Sequence, residues 1–357
     1  MIAIARGPGW LLSLAMLLFG ACSDTRQSEG ATPALERSGR FGSLRDLVLF
    51  DRAVDGQPFR LFLDRFEVTR ADWREFAATE EGRQVQAADC ASGGDPALPA
   101  SAMDLRQARA FARWRFARLP RAAEWFTCVV GDGRNRFPWG SKEDPTRTNT
   151  GELGLGEPTP VGTFESGRRT EGKQPYDLIG NVSEWTETVP PAWCLRERTV
   201  DPLGGVLDPQ ASFSRACDRV RAVPALAVWG EVGGLVAPMW AAVAAGPGAP
   251  HEVVGADFQS PMAQTSESVL AGDRRLRTGL RLAATPSELL AALLDYDAAL
   301  TPAEQEQLRR FCARPGHRSA LASAWPQLAA SPAARADTAI ARLLRAELGV
   351  PAPAGGR

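Results

Sequence analysis

The chain reads as an α+β protein, with a loop-rich mixed domain over residues 45–285 and an all-α appendage over residues 286–349. Three observations carry that reading. Two apolar, β-prone runs near the start flank a turn signal at Asp55 and Gly56. From Gly131 to about Ala283 the chain is rich in Gly, Pro and Trp and poor in helical periodicity, the composition of irregular loops over short strands. After Pro286 the runs SELLAALLDYDAAL, TPAEQEQLRRFCARPG and ADTAIARLLRAELG carry leucines at helical spacing. A length of 357 residues suits one large domain plus such an appendage.

Taken in order, Val48 to Phe50 and the run FRLFLDRFEVT predict a hairpin. Thr69 then stands where it caps a helix, with Asp72 three positions on and Trp73, Phe76 and Ala77 on one face. A second helix is expected from Asp104, where Gln107 completes a capping pattern and Leu105, Ala108, Phe111 and Ala112 recur at helical spacing. Pro120 fits the first turn of a third helix running to Cys128, since its missing N–H would be unsatisfied there anyway. The loops beyond must satisfy much backbone polarity without ladders, and bound cations or buried waters are common means. In the appendage, Thr301 is a cap, Pro302 the first helical position and Glu304 the third. The appendage is expected to be a separable unit docked through Leu289, Leu293, Leu308 and Leu343, followed by a disordered tail over 350–357.

The 41 basic and 42 acidic residues leave a net charge of -1, and no basic patch points to nucleic acid. Near the start, Arg6 precedes an apolar run, Leu11 to Phe19, too short to span a bilayer as a mature helix and of the length of a signal-peptide core. It ends in LFGAC, which resembles the bacterial lipobox. That resemblance implies removal of residues 1–21 and lipidation of Cys22, with residues 22–44 as a flexible tether and globular mass from near Phe41. Ser23 in place of Asp resembles outer-membrane sorting, so the chain is expected in the bacterial cell envelope, held to a membrane by its lipid. Five further cysteines, Cys90, Cys128, Cys194, Cys217 and Cys312, would meet an oxidising compartment, and their odd number leaves one thiol over.

Between Arg118 and Trp185 five phrases follow one another: RLPRAAEW, FPWG, PTPVGTF, YDLI and GNVSEW. With DRFEVT upstream at Asp64 to Thr69 and TGLRLA downstream at Thr278 to Ala283, the ordered set resembles the formylglycine-generating enzyme, or sulfatase-modifying factor, family. The resemblance implies a C-type-lectin-like fold with two early helices on twisted antiparallel sheet. It also implies structural calcium, held by the side chains of Asp177 and Glu184 and the carbonyls of Gly180 and Val182. A hard cation wants several oxygens, and two carboxylates seven apart meet only if the chain curls, which Gly180 permits. The alternative is that Asp177 caps a turn and Glu184 accepts buried N–H groups. A second calcium loop of the family would begin at Asn149 and Thr150, but the segment after them is short and that site is discounted. Ser183 stands where the family usually has Trp, and Glu124 and Trp125 read as core packing and hydrogen-bonding residues.

The family's oxidase chemistry implies two closely spaced cysteines holding copper(I) shortly before the last phrase. Here Asp218 to Arg281 contains no Cys, and WGEVGG (Trp229 to Gly234) is a degenerate remnant of the family's Gly-rich phrase. Cys194 and Cys217 are instead a candidate disulfide closing the loop after Trp185. A three-His iron site, as in the related sulfoxide synthases, is excluded by count, since the chain has two His, His251 and His317, both read as surface residues. The sequence therefore favours a divergent, non-catalytic member, a pseudoenzyme acting as a binding or scaffold module for an unnamed protein, peptide or glycan. An oxidoreductase of this family working through other residues, and a calcium-stabilised lectin-like carbohydrate binder with exposed Trp beside the ion, are the alternatives.

Overall fold

Strands β1 (Leu47–Val54) and β2 (Gln57–Asp64) pair antiparallel in unbroken register, Leu47 opposite Asp64 and Val54 opposite Gln57. The expected hairpin is present, although its turn at Asp55 and Gly56 lies outside the described residues. The computed structural model describes residues 39–54, 57–90, 93–130, 135–168, 175–188 and 250–351. Cys22, Cys194, Cys217, the Trp229 to Gly234 remnant and most of the 350–357 tail fall outside these.

Helix α1 (Arg70–Ala77) starts where the sequence placed it. The Thr69 hydroxyl accepts the Asp72 N–H at 3.2 Å and the Asp72 carboxylate accepts the Thr69 N–H at 3.1 Å. These reciprocal bonds satisfy two donors that a helix start leaves orphaned, worth about 1 kcal/mol. A short α2 (Glu80–Gln84), capped by Thr79, was not anticipated; its five residues are too few to show periodicity. Helix α3 (Leu105–Trp114) has the expected box between Asp104 and Gln107. Helix α4 (Ala122–Val130) begins two residues beyond Pro120, where Glu124 accepts the Arg121 N–H at 2.8 Å.

The later strands are short: β3 (Ser183–Trp185), β4 (Pro250–Val254), β5 (Ser266–Leu270), β6 (Thr278–Gly279) and β7 (Ala283–Ala284). Two sheets result, one in the order β1-β2-β7 and one in the order β5-β4-β3-β6, with β3 and β6 parallel. Against the second sheet pack α1 and α3, through Trp73, Phe76, Phe111, Trp185 and Val253; the Trp73 and Phe111 rings stack at 5.4 Å. Leu61, Leu63, Trp125, Cys128 and Ile179 form a second cluster around α4.

The C-terminal part is helical as expected: α5 (Pro286–Leu294), α6 (Pro302–Cys312), α7 (His317–Leu328), α8 (Pro332–Arg335) and α9 (Ala339–Leu348). Thr285 and Thr301 each form a full capping box, with Glu288 and Glu304, and each is followed by Pro at the first helical position. These helices do not keep a core to themselves. One cluster joins Leu289, Leu293, Leu308 and Leu344 to Phe41, Leu44, Leu47, Phe62 and Phe116, while Leu343 is only partly buried against it. The fold also begins before residue 45, since Phe41 and Leu44 are fully buried and Gly42–Arg45 forms a 3-10 turn. The last residues of the expected tether are thus core. Among the described residues no helix is long and apolar enough to cross a membrane.

Candidate functional site

The loop Tyr176 to Trp185 is buried from end to end and is shaped by backbone in the left-handed region at Asp177, Gly180 and Asn181. At Gly180, φ is +85° and an added Cβ would run into Thr148 and the Asn149 carbonyl, so glycine is required for the curl. The loop is stitched to its neighbours by its own amides. Gly180 N donates to Gly255 O at 2.6 Å, Asn181 N to Asn149 O at 2.7 Å, and Phe258 N to Asn181 O at 3.1 Å.

At its centre stands Arg281, wholly buried, delivered by the segment between β6 and β7. Its Nε donates to Glu184 Oε1 at 2.8 Å and an Nη lies 2.7 Å from the same oxygen. The remaining donors reach the carbonyls of Asp64 at 3.0 Å, Tyr176 at 2.9 Å and Asp177 at 3.3 Å. Glu184 Oε2 accepts the Trp125 indole N–H at 3.1 Å. Glu67, also fully buried, accepts Asn181 Nδ2 at 2.6 Å and the Val182 N–H at 3.0 Å, and Asp177 Oδ2 accepts the Gly162 N–H at 2.7 Å.

Three buried carboxylates thus surround one guanidinium, and the electrostatics follow. Burial pushes Glu67 well above the usual carboxylate range, and the nearby Asp177 charge adds to this. Burial likewise lifts Asp177 to about 6, against the pull of the Gly162 N–H and Arg281. Glu184 is raised by burial and held back by Arg281. For Arg281, burial works against the charge, but the Glu184 carboxylate outweighs it and the guanidinium stays protonated.

The residues expected to bind calcium, Asp177, Gly180, Val182 and Glu184, all lie in this buried loop. Both Glu184 oxygens are engaged by Arg281 and Trp125, and Asp177 faces Gly162. Among the described residues no cluster of three or more His, Cys, Asp or Glu is placed to hold a metal. The sequence reading assigned no role to Glu67 or Arg281. Their signal was a charged residue within each of two otherwise apolar phrases, RFEVT and GLRLA, where a buried partner is required.

Both histidines, expected at the surface, are buried. His251 lies beside Arg109 at 3.3 Å, next to the Arg109 and Glu187 ion pair, and His317 is enclosed by the Phe62 and Phe311 rings at 5.0 and 4.6 Å. Glu124 pairs with Arg118 at 2.7 Å and Trp125 holds Glu184, as core residues should. Ser183 bonds Arg277 O and the Thr278 hydroxyl, filling polar space in place of an aromatic ring. Cys90, Cys128 and Cys312 are buried, and burial pushes the Cys128 thiol far up and the Cys312 thiol up to about 12.

Mixed short strands, two early helices and a buried Glu–Arg pair at the loop's heart make a loop-rich α+β domain. Residues 51–220 match the sulfatase-modifying factor enzyme 1-like domain. Hercynine oxygenase of Mycobacterium tuberculosis is 38% identical over 93 residues, covering 24% of this chain and 21% of that protein. The formylglycine-generating enzyme of Bos taurus is 32% identical over 123 residues, 30% of this chain and 32% of the relative. The inactive Cα-formylglycine-generating enzyme 2 of Bos taurus is 32% identical over 130 residues, 33% of this chain and 39% of the relative. The chain therefore spans between 21% and 39% of the length of these relatives.

Proposed function

We propose that this chain is a lipid-anchored binding or scaffold module of the bacterial cell envelope, built on a sulfatase-modifying-factor domain that has lost the copper site. The observation that supports it is the absence of any Cys between Asp218 and Arg281, the interval in which the family resemblance implies a thiolate pair. Copper(I) activation of oxygen needs two closely placed soft ligands, and this interval offers as soft or borderline donors only Met239, Met262 and His251. The described thiols do not substitute for the pair. Cys90, Cys128 and Cys312 belong to three different core clusters and are sealed from solvent. That a relative is itself named as inactive is in keeping with this reading.

For the lectin-like alternative, the tryptophans that border the loop among the described residues, Trp125 and Trp185, are fully buried. Two experiments test the proposal. The full chain is incubated with copper(I), oxygen and a peptide bearing Cys-x-Pro-x-Arg, and the peptide is weighed; unchanged peptide is expected, and conversion of its Cys to formylglycine contradicts the reading. For the anchor, Cys22→Ser is expected to move the protein from the membrane to the soluble fraction, and a wild type that is equally soluble contradicts it.

A further inference from the structure

We infer that the C-terminal helical layer carries a binding site for a small carboxylate with an apolar body, of the medium-chain fatty-acid type, in the cavity between α7, α8 and α9. The cavity measures about 370 Å³ and lies outside residues 51–220, the stretch that matches the sulfatase-modifying factor domain. Small-molecule sites range over roughly 300–1,000 Å³, with mostly apolar walls and a few placed polar groups. Trp325, 7% exposed, and the buried Ala334 line it. From α7 and its C-terminal end come Ala322, Pro326 and Ala329, spaced along one helix face. Their short side chains leave the volume open. Pro326, inside α7, also has no N–H to give the Ala322 carbonyl four residues back, so one rung of the helix is missing on this face.

The charge of the ligand follows from the charge of the walls. Arg335 and Arg345 line the cavity, and no acid does so among the described residues. Arg345 is only 7% exposed, and its two Nη atoms donate to Ala334 O at 2.9 Å and Ala336 O at 3.0 Å. Those carbonyls fix the guanidinium in place without neutralising it. The one carboxylate within reach among the described residues is Asp337, 4.0 Å away, 78% exposed and already bonded to Arg342 at 2.8 Å. A buried guanidinium with so distant a counter-charge is costly, and an anion entering beside it through apolar walls is screened far less than in water. Arg335 adds a second positive charge at the exposed rim, with its Nε on Ala329 O at 3.3 Å. An uncharged apolar molecule leaves both guanidiniums uncompensated, and inorganic phosphate leaves the Trp325 wall unfilled. A carboxylate on an apolar body satisfies both.

The test is calorimetric titration of the full chain with decanoate below its micelle concentration, with decanol and decyltrimethylammonium as the uncharged and cationic controls. Decanoate is expected to bind at a single site, about ten-fold or more tighter than either control, the worth of one charge-assisted hydrogen bond. Ala329→Phe, at an exposed position, is expected to fill the cavity, weakening decanoate by about ten-fold or more while leaving the melting midpoint of the unliganded chain unchanged. Arg335→Met, also exposed, is expected to weaken decanoate a few-fold and to leave decanol as it was. Arg345→Met is expected to abolish the preference for decanoate over decanol; should it not accumulate as folded protein, the two rim variants decide. No saturable binding of decanoate, decanol bound equally well, or binding that Ala329→Phe leaves intact would each overturn the inference. Binding that appears only in a chain ended after Pro351 would assign the cavity to the chain's own last residues and overturn it as well.

Discussion

Arg118 and Glu288 meet at 2.9 Å, Nε to carboxylate, across 170 positions of sequence. The same guanidinium holds Glu124 on α4, and the same Glu288 closes the capping box of α5. One arginine therefore ties the helix that positions Trp125, and through it Glu184, to the first turn of the C-terminal layer. Arg118→Met is expected to destabilise the chain by about 2–3 kcal/mol, since it strips two carboxylates at once in a partly buried setting. Glu288→Gln, which keeps the cap acceptor, is expected to lose less than half as much. Urea unfolding measures both, and equal losses would mean that the bond to Glu288 rather than the cluster dominates.

The shared core makes a second outcome specific. Truncation after Ala284 removes Leu289, Leu290, Leu293, Leu308, Phe311 and Leu344, each buried and each worth about 1.5–3 kcal/mol against water. Since a domain's net stability is only about 5–15 kcal/mol, the truncated chain is expected to aggregate or to lose cooperative unfolding. A soluble, cooperatively melting product would show that the helical layer is separable after all.

His317 gives a pH dependence whose sign is fixed by its setting. Burial, with Arg314 nearby, lowers its folded-state pKa to about 4, against the pull of the Phe311 carbonyl. An unfolded histidine titrates near 6.5. As pH falls through that window the unfolded chain takes up a proton that the folded chain refuses, so stability drops by about 1.4 kcal/mol per pH unit and then levels below the folded value. Above the window the group contributes nothing. Asp177, raised to about 6, acts in the opposite sense, binding its proton in the folded state first as pH falls. Comparing wild type with His317→Gln by urea unfolding between pH 7 and about 4.5 isolates the histidine's share. A variant with the same slope as wild type would contradict the assignment.

The thiols supply a fourth outcome. Cys90, Cys128 and Cys312 are buried away from reagent, and the Cys128 and Cys312 pKa values are also pushed up, so the nucleophilic thiolate is scarce at those two. Iodoacetamide at mild alkaline pH followed by peptide mapping is expected to leave them unlabelled in the native chain and to label all three in denaturant. Native labelling of Cys128 would show that the α4 cluster opens.

What the sequence made legible was local. Thr69 with Asp72, Asp104 with Gln107, and Thr301 with Glu304 each announce a helix start within four residues, and each is found there. The hairpin followed from two apolar runs and a turn signal, and the family resemblance from ordered phrases. What escaped was set by contacts between residues far apart in the chain. Nothing near Arg281 says that its partner is Glu184, 97 positions earlier, nor near Phe41 that it closes a core with Leu289 and Phe311. The histidines were misplaced for the same reason, since the rings that cover His317 come from Phe62 on β2 and Phe311 on α6. Motif position alone assigned Glu184 a ligand role and said nothing of Arg281, which its position beside β6 brings against it.

The central claim is that this domain has no copper-thiolate site, and copper(I) affinity tests it most directly. The full, reduced chain is titrated against a chromogenic copper(I) chelator of known affinity under anaerobic conditions, and the metal each retains is measured. The expected result is that the chelator keeps all of the copper. Retention of one equivalent by the protein, lost on changing Cys194 or Cys217 to Ala, would show that two distant cysteines have rebuilt the site and would contradict the account.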